Sequence, residues 1–425
     1  MFGLLKKKAA AFMIGFVIFG APFSVSEAGT EAYELITQEN RNVAIPLVLG
    51  KFKDKMSLDG AKLTVNLGHD FLMVLDDDFN NYRAEFCEAL AEFSRENRIV
   101  VNKQLAEFEN YAKELSEPQP LPLSAYSNID LRRADMRAVS ALACNTLYGG
   151  GAHPNYLVTG ANFDVNRGTR LSLEDICNDI PQFIDIVEQK ITEQYPDANF
   201  IFKDDYFAKI RNSNGRDFDC WMLENEGVTI FFNPYSVASF ADGLLMVTVP
   251  FAGHEDLFNE YFTKTPADYA VPVVYPVNYG FKADGSHKQL AFYTSVADDG
   301  MNMSVVIDNN RLVDDDLIPP ATNIEAMYIH LGGAGEDYLY VFLQRVEYYQ
   351  LNIYRITTGV PKRIHMIEGM RRAVRHADYE FTELGTDPSA MILEKLTDLI
   401  DGTYTRGIYT VGADGLPVLI KTVRQ

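Results

Sequence analysis

The sequence predicts an α+β protein, in which an α/β-sheet domain with long helices is followed by a β-rich meander domain with one late helix. Three observations support this class. Apolar residues recur at helical spacing over residues 81–115 and again after Asp179. Short β-rich runs separate these helices, and strand-like runs with turn signals fill most of the chain after residue 265. Helices and strands that are segregated along a chain are typical of the α+β class.

The composition describes a long, folded and acidic chain. It has 425 residues, 47% of them hydrophobic, with 38 basic and 59 acidic side chains and a formal net charge of -21. This length indicates two or three domains, and the composition excludes disordered, collagen-like, coiled-coil and polytopic membrane proteins. The negative charge argues against a nucleic-acid surface, which needs clustered Lys and Arg, and it suits a cationic partner.

Residues 1–28 have the pattern of a secretory signal peptide. Lysines occupy positions 6 to 8, an apolar run covers residues 9–23, and Ser26-Glu27-Ala28 supplies small residues at the cleavage positions. The apolar run has about 15 residues, whereas a membrane span needs roughly 20. We therefore expect cleavage after Ala28 and no stable membrane span afterwards, with an uncleaved N-terminal anchor as the alternative.

An exported chain is the consequence of that cleavage. Loss of three Lys and one Glu leaves 35 basic and 58 acidic groups, a formal charge of -23. We expect the mature protein in the periplasm, in the cell envelope or secreted.

The first 90 residues after the signal peptide read as two strands followed by a helical segment. Residues 43–49 and 63–67 have β-rich patterns separated by the turn Leu58-Asp-Gly60. Residues 81–115 then carry an apolar stripe at helical spacing. The β-branched run at residues 99–101 leaves two possibilities, one long helix or two helices with a break near Asn97. Prolines at positions 118, 120 and 122 end this segment.

The middle of the chain mixes strands and capped helices. Residues 156–158 and 162–164 read as strand, and Ser172 with Asp175 predicts a short capped helix. Asp179 caps a firmer helix that ends at Tyr195-Pro196. Residues 228–232 and 244–249 are two β-rich runs joined by the segment 233–243.

The chain after residue 265 reads as a meander. Its strand-like runs occupy residues 289–293, 304–307, 326–329, 338–343 and 351–354. A late helix is predicted from the cap Asp387 and the apolar spacing of Ile392, Leu396 and Leu399, followed by a hairpin over 408–411 and 418–420. We predict four parts: signal peptide 1–28, an N-terminal α+β portion 29–118, a second domain 119–265 and a β-rich domain 266–425.

Motifs of catalysis and metal binding are absent from the sequence. There is no Gly-x-Ser-x-Gly elbow, no His-Glu-x-x-His and no phosphate-binding loop, and the seven His include no pair at helical spacing. The runs at residues 76–78 and 314–316 do not fit an EF-hand and read as a helix cap and a solvated loop. We predict no catalytic residue, no cofactor and no metal. The pairing of Cys87, Cys144, Cys177 and Cys220 stays open, since export permits disulfides.

Two short segments are the candidate binding loops. Tyr148-Gly-Gly-Gly-Ala-His153-Pro-Asn155 allows close backbone approach and places a histidine and an asparagine near tyrosines, while Pro234-Tyr235 presents a rigid aromatic edge. The predicted ligand-binding residues are therefore Tyr148, His153, Asn155, Pro234 and Tyr235. The simpler and preferred interpretation of the first segment is a tight bend into a strand with a hydrogen-bonded His. An enzyme that uses His153 with a carboxylate such as Asp164 is the alternative.

Several motifs resemble the extracytoplasmic domain of RsiV-type anti-sigma factors, over about residues 120–255. They are Tyr148-Gly-Gly-Gly-Ala-His153, Asn162-Phe-Asp-Val-Asn-Arg-Gly168, Leu171-Ser-Leu-Glu-Asp-Ile176, the run from Val228 to Gly243 and Val247-Thr-Val-Pro250. Similar domains occur beside peptidoglycan deacetylases of the PdaC type. The resemblance implies an envelope-facing α+β domain that binds a partner, which in RsiV is lysozyme. Residues 1–28 leave no room for a sigma-binding segment with a membrane span, and no deacetylase metal motif follows, so neither activity is carried over.

The expected function is that of an exported cell-envelope binding protein. Its partner is expected to be a cationic protein such as lysozyme, another envelope protein or a wall glycan, and no nucleic acid. The alternative is a hydrolase that acts on envelope carbohydrate or peptide. A scaffold or surface protein without a small ligand is the third interpretation.

Overall fold

A computed structural model describes most of the chain after residue 44. The described residues are 45, 47–74, 80, 83–273, 279–283, 286–297, 300–307, 310–313, 321–345, 349–372, 374–376, 380–383, 388, 391, 393–398 and 404–424. The predicted signal peptide and the acidic runs at 76–78 and 314–316 lie outside them. None of the described helices has both the length and the hydropathy of a membrane span.

The N-terminal part is a β-hairpin followed by one long helix. Strands β1 (Leu47–Leu58) and β2 (Leu63–Val74) pair antiparallel around a turn in which Asp59 and Gly60 have positive φ. Helix α1 (Ala84–Glu114) has 31 residues and is unbroken. The strand and helix predictions are confirmed, and the one-helix possibility is the correct one because Asn97 and Val101 are both buried on the face that packs on the sheet.

The middle part begins with four strands. They are β3 (Leu123–Ala134), β4 (Ala138–Tyr148), β5 (Asn155–Asp164) and β6 (Thr169–Arg170). The sequence had indicated only the two ends of β5, and β3 and β4 were not predicted. Strand β3 is parallel to β2, with α1 as the crossover, whereas β3 to β6 form an antiparallel meander.

Helices and a small sheet follow the meander. They are α2 (Leu173–Ile176), α3 (Ile180–Gln194), α4 (Lys203–Asn212), β7 (Cys220–Leu223), β8 (Gly227–Phe232), β9 (Leu245–Pro250) and α5 (Glu260–Thr263). Single 3-10 turns occupy Phe240–Asp242 and Glu255–Leu257. The predicted capping box of Ser172 and Asp175 is present, and Asp179 accepts a hydrogen bond from the Gln182 amide at 2.9 Å. Strands β7, β8 and β9 form an antiparallel sheet against which α3 packs.

The C-terminal part is almost entirely strand, as predicted. Its strands are β10 (Asp268–Val273), β11 (Tyr279–Ala283), β12 (Ser286–Ala297), β13 (Gly300–Ile307), β14 (Asn310–Val313), β15 (Ala321–Leu331), β16 (Glu336–Arg345), β17 (Tyr349–Arg355), β18 (Lys362–Glu368), β19 (Met370–Arg372), β20 (Val374–His376), β21 (Glu380–Glu383), β22 (Leu393–Asp398), β23 (Tyr404–Val411) and β24 (Pro417–Arg424). Three sheets result, in the orders β10-β15-β16-β17-β18, β11-β12-β13-β14 and β19-β22-β23-β24.

The predicted late helix is wrong. Residues 393–398 form β22, which pairs antiparallel with β23 and with β19. Glu394 is 1% exposed and is held between Arg371 on β19 and Arg406 on β23. Over only eight residues, 392–399, apolar residues three or four apart resemble the apolar face of a helix. The ion pairs of Glu394 with arginines on both neighbouring strands stabilise the strand instead. The proposed cap Asp387 lies outside the described residues.

The largest sheet contains strands from all three parts that were predicted to follow the signal peptide. Its order is β20-β21-β1-β2-β3-β4-β5-β6, so that strands before residue 118, strands after it and two strands from the C-terminal part lie side by side. The division itself stays a prediction. Helix α1 covers one face of this sheet through two apolar clusters that include Phe86, Phe93 and Phe108.

All four cysteines are free thiols. Burial raises the pKa of Cys87 to about 11, and burial with nearby Asp130 raises that of Cys144 to about 12. Cys177 and Cys220 are buried as well. The disulfide question that the sequence left open is therefore answered by four separate thiols.

Candidate functional site

A group of two exposed and two half-buried rings forms where the β4–β5 loop meets the β8–β9 connection. We call His153, Tyr156, Tyr235 and Phe240 the aromatic cluster. The His153 ring stacks on Phe240, with centroids 4.3 Å apart and an interplanar angle of 21°. The Tyr235 and Tyr156 rings lie 5.7 and 6.0 Å from the same phenylalanine. Phe240 is thus the centre of the cluster and joins the two predicted loops.

The β8–β9 connection is fixed to β5 by one side chain. Asn233 is buried, accepts a hydrogen bond from Val158 N at 2.7 Å and donates one to Val158 O at 3.0 Å. Its own backbone N–H donates to Asp219, and Ser236 Oγ donates to the same carboxylate. The Asn233 amide here makes the hydrogen bonds that a neighbouring strand would make. It thereby satisfies the buried backbone N–H and C=O groups of Val158. The loop carrying Tyr235 is therefore held rigidly.

Tyr235 has a backbone conformation that is unusual for a residue with a side chain. Its φ is 70°, in the left-handed region, and its side chain is 63% exposed. This region costs about 1–2 kcal/mol for a non-glycine residue. Outliers of this kind cluster at binding and catalytic sites because the surrounding fold has to hold them in place. The exposed ring of Tyr235 is therefore the strongest local sign of a contact surface.

The predicted site residues are only partly brought together. His153 and Tyr235 join the cluster, and Pro234 is half-buried beside Tyr235. Tyr148 is half-buried at the end of β4, and Asn155 is exposed at the start of β5. Two members, Tyr156 and Phe240, were not predicted. Phe240 lies within the segment 233–243 that the sequence indicated as a loop, but nothing in the local pattern separates it from a core aromatic.

The acid–base pair of the enzyme hypothesis is not assembled. His153 precedes β5, whereas Asp164 ends it, so the ten-residue strand separates them by about 30 Å. Asp164 accepts hydrogen bonds from the backbone N–H groups of Asn166 and Arg167 and from Arg167 Nε. His153 Nδ1 lies 3.2 Å from Pro154 O, and no carboxylate, serine or cysteine of the described residues hydrogen-bonds its ring. Asp164 is a turn residue in this structure.

Groups of three or more His, Cys, Asp or Glu side chains that suit a metal ion do not occur among the described residues. The chemistry offered by the aromatic cluster is stacking, apolar contact and hydrogen bonding from tyrosine and histidine.

A buried ion pair lies away from the surface, between the large sheet and the β7–β8 turn. Arg132 on β3 donates through Nε to Glu224 Oε1 at 2.7 Å, and its Nη2 lies 2.6 Å from the same oxygen. Thr229 donates to Glu224 Oε2 at 2.8 Å. The guanidinium also lies 4.9 Å from the ring centre of Tyr279 on β11. Three parts of the chain meet at this ion pair.

Two buried carboxyl groups lie where β2 separates from β3. The parallel pairing ends at His69 and Ser127, after which Asp70 accepts a hydrogen bond from Ile129 N at 2.9 Å. Burial raises the pKa of Asp70 to about 6, against the attraction of Lys51. Burial raises the pKa of Asp130 to about 7, with Arg132 opposing the rise and Asp70 adding to it. The sheet therefore contains carboxyl groups that resist ionisation.

A third polar contact ties the β7–β8 turn to the five-stranded sheet. Tyr269 donates to Glu226 at 2.9 Å, and its ring stacks on His330. His330 Nδ1 lies 2.7 Å from Asp337 Oδ1. Burial lowers the pKa of His330, but the hydrogen bond and charge of Asp337 outweigh it, and the net shift is upward.

Replacing Asn233 by alanine is expected to destabilise the protein by about 2–4 kcal/mol, because Val158 N and O then lose their partners in a buried position. Urea unfolding followed by circular dichroism measures the change. Asn155→Ala, at an exposed position of the same strand, serves as the control and is expected within about 0.5 kcal/mol of the wild type. Equal stability of both variants would show that the amide contributes nothing to the loop.

Comparisons with known proteins identify one segment. Residues 174–252 match the family described as "Protein of unknown function (DUF3298)". The match runs from α2 to just past β9 and includes Tyr235 and Phe240. The chain thus carries a DUF3298 domain in the part that supplies one side of the aromatic cluster.

Two crystal structures of this family are similar to the chain. One is a member of the DUF3298 family from Bacteroides fragilis, with 17% identity, 51% of this chain and 96% of that chain covered, and a TM-score of 0.37. The other is a DUF3298 family protein from Pseudomonas aeruginosa, with 16% identity, 52% and 98% coverage and a TM-score of 0.36. No curated protein matches the chain.

Proposed function

We propose that this chain is an exported binding protein of the cell envelope that contacts a macromolecular partner through the aromatic cluster. The observation that supports it is the convergence of two segments, 153–156 and 235–240, on one set of four rings, of which His153 and Tyr235 are exposed and Tyr156 and Phe240 half-buried. Rigid aromatic side chains are enriched at binding surfaces because they bury much area and lose little conformational entropy. Export rests on the signal-peptide pattern of residues 1–28.

The partner is proposed from the resemblance and from charge. RsiV itself binds lysozyme, and an exported chain with 35 basic and 58 acidic groups, a formal charge of -23, attracts cationic proteins. A wall glycan is the other candidate, since flat exposed rings stack on sugar faces. Separate binding assays with lysozyme and with purified sacculi distinguish the two candidates.

The Tyr235→Gly variant tests the contact surface. Glycine accepts a φ of 70° freely, so the strain is relieved and stability is expected to stay within about 1 kcal/mol of the wild type. Loss of an exposed aromatic anchor is expected to weaken binding by about 2 kcal/mol, or near 30-fold. Isothermal titration with lysozyme and co-sedimentation with purified sacculi measure the binding.

Tyr111→Ala is the matched control for this experiment. Tyr111 is 40% exposed on α1, which covers the face of the large sheet opposite to the one that carries Tyr156, and its loss is expected to leave binding unchanged. If the wild-type protein binds neither lysozyme nor sacculi, the proposal is overturned. A Tyr235→Gly variant that binds as tightly as the wild type would move the contact surface elsewhere.

A further inference from the structure

We infer that the binding surface continues from the aromatic cluster across the open face of the large sheet, and that it takes a linear glycan bearing carboxylate groups. This inference rests on the proposed function and specifies its partner. Three observations support it: the cross-strand register of β1 to β5, the space that Gly68 leaves for a ring, and the two lysines, Lys53 and Lys55, on β1.

Cross-strand neighbours form two rows on the face opposite α1. The first row is Lys53, Gly68, Tyr126, Thr146 and Tyr156, each paired with the next on β1 to β5. The second row is Lys55, Asn66, Ser124 and Tyr148. Each row begins at a lysine and ends at a tyrosine. Four strand spacings make the first row about 19 Å long, which suits a chain of sugars better than a single one.

The face that carries these rows is open around residues 53–55, 66 and 124–126, whereas Asp130 and Arg132, further along β3 on the same face, are buried. The alternate residues of these strands point to the other face of the sheet, where Leu63, Val65 and Ala125 are buried against α1. Lys53 and Lys55 are exposed, while Tyr126 and Tyr148 are half-buried. Tyr156 closes the first row and lies 6.0 Å from Phe240. The two surfaces are therefore continuous.

Gly68 makes room for a flat ring. A Cβ atom at this position would lie 2.7 Å from Tyr126 Cδ1, closer than real Cβ contacts come, and 3.0 Å from Phe52 O. The Tyr126 ring therefore packs against the backbone of β2 at Gly68. Its side chain is only half-buried, which leaves part of the ring open to stack on a sugar. Asn66, Ser124 and Thr146 supply amide and hydroxyl groups beside it for sugar hydroxyls.

The charges favour an acidic ligand. Lys53 and Lys55 form no ion pair with any carboxylate of the described residues, although the chain has 59 acidic side chains. Lys51, on the same strand, faces the buried Asp70 and Asp130, and Lys53 has a smaller electrostatic effect on Asp70. Lys53 and Lys55 thus place one exposed ammonium group at the end of each row, where it can meet a carboxylate on a glycan.

The experiment uses the full chain and two probes with the same backbone, an oligogalacturonate and its methyl ester. Isothermal titration of the wild type is expected to give tighter binding of the free acid. Lys53→Gln combined with Lys55→Gln is expected to weaken binding of the acid roughly tenfold, the sum of two ion pairs near 0.7 kcal/mol each, and to leave the ester unaffected. Tyr126→Leu is expected to weaken both probes because it removes the stacking face.

Lys103→Gln is the charge-matched control, an exposed lysine of α1 on the other side of the sheet. Equal affinity of acid and ester for the wild type, or an unchanged affinity of the double lysine variant, overturns the inference alone. Failure of the wild type to bind lysozyme and sacculi instead overturns the proposed function. Urea midpoints of all variants are measured, and the double variant is expected to keep the wild-type midpoint because both lysines are exposed.

Discussion

Replacement of Glu224 by alanine is expected to lower the free energy of unfolding by about 3–5 kcal/mol, the largest effect of any single change considered in this protein. Arg132 has no exposed side-chain surface and Glu224 has 1%. Removal of the carboxylate leaves a guanidinium in the interior without its counter-charge. Thr229 also loses the acceptor of its 2.8 Å hydrogen bond.

The cost arises from burial and not from the ion pair as such. A buried pair that is replaced on both sides by apolar residues of similar volume is often neutral or stabilising, whereas loss of one partner leaves a charge that water cannot reach. Arg132→Met combined with Glu224→Leu is therefore expected to recover most of the loss from Glu224→Ala. This double variant separates the charge from the packing.

Urea unfolding at pH 7 measures all of these variants. Arg211→Ala is the surface control, because the Arg211 pairs with Asp185 and Glu188 are exposed and are expected to contribute about 1 kcal/mol or less. A loss from Glu224→Ala no greater than that from Arg211→Ala would mean that water reaches the Arg132 guanidinium.

Stability is expected to fall between pH 4 and pH 7, because Asp130 keeps its proton in the folded state longer than in the unfolded state. Its pKa rises from the ordinary 3.8 to about 7 through burial. Below pH 4 both states are protonated, and the group has no effect on the equilibrium. As the pH rises, the unfolded chain releases the proton first, and unfolding is favoured by about 2–4 kcal/mol at pH 7–8.

The Asp130→Asn variant is expected to lose the part of this dependence that Asp130 contributes and to be more stable than the wild type above pH 7, while Asp70, whose pKa burial raises to about 6, keeps a fall of the same sign in both proteins. The quantity to measure is the difference between the two proteins at each pH. His330 has a raised pKa, so its stabilising contribution is present below about pH 6.5 and is lost as the pH rises through its folded-state pKa in both proteins. Parallel curves for variant and wild type from pH 4 to pH 8 would contradict the raised pKa of Asp130.

Elements with a clear period and clear end signals were predictable from the sequence. Helix α3 has a capping aspartate, a proline in its first turn and an apolar face of Ile184, Val187 and Ile191. Strand β3 was not predictable because its buried half contains Arg132 and Arg133, which hide the apolar pattern. The partner that permits the burial of Arg132 lies 92 positions further along the chain. No local pattern contains that information.

The candidate site was predictable by segment but not by contact. Gly-rich and Pro-Tyr signals indicated both loops, because these residues act through local backbone geometry. The stacking of His153 on Phe240 depends on the Asn233 amide, which joins the loop to β5. The rows that lead to Lys53 and Lys55 depend on parallel pairing of β2 and β3 across α1. Register between distant strands is a tertiary property, and a single sequence does not specify it.

The four thiols make the opening of separate parts of the molecule measurable by labelling rates. Cys87 borders the cluster between α1 and the large sheet, Cys144 and Cys220 lie in a cluster between β4, β5 and β7, and Cys177 belongs to the cluster around α3. A thiol that is buried and protonated reacts with a maleimide only after its surroundings have opened. Cys87 is half-buried and is expected to react first, and the order in which Cys144, Cys177 and Cys220 follow ranks the local opening of their regions without any introduced probe.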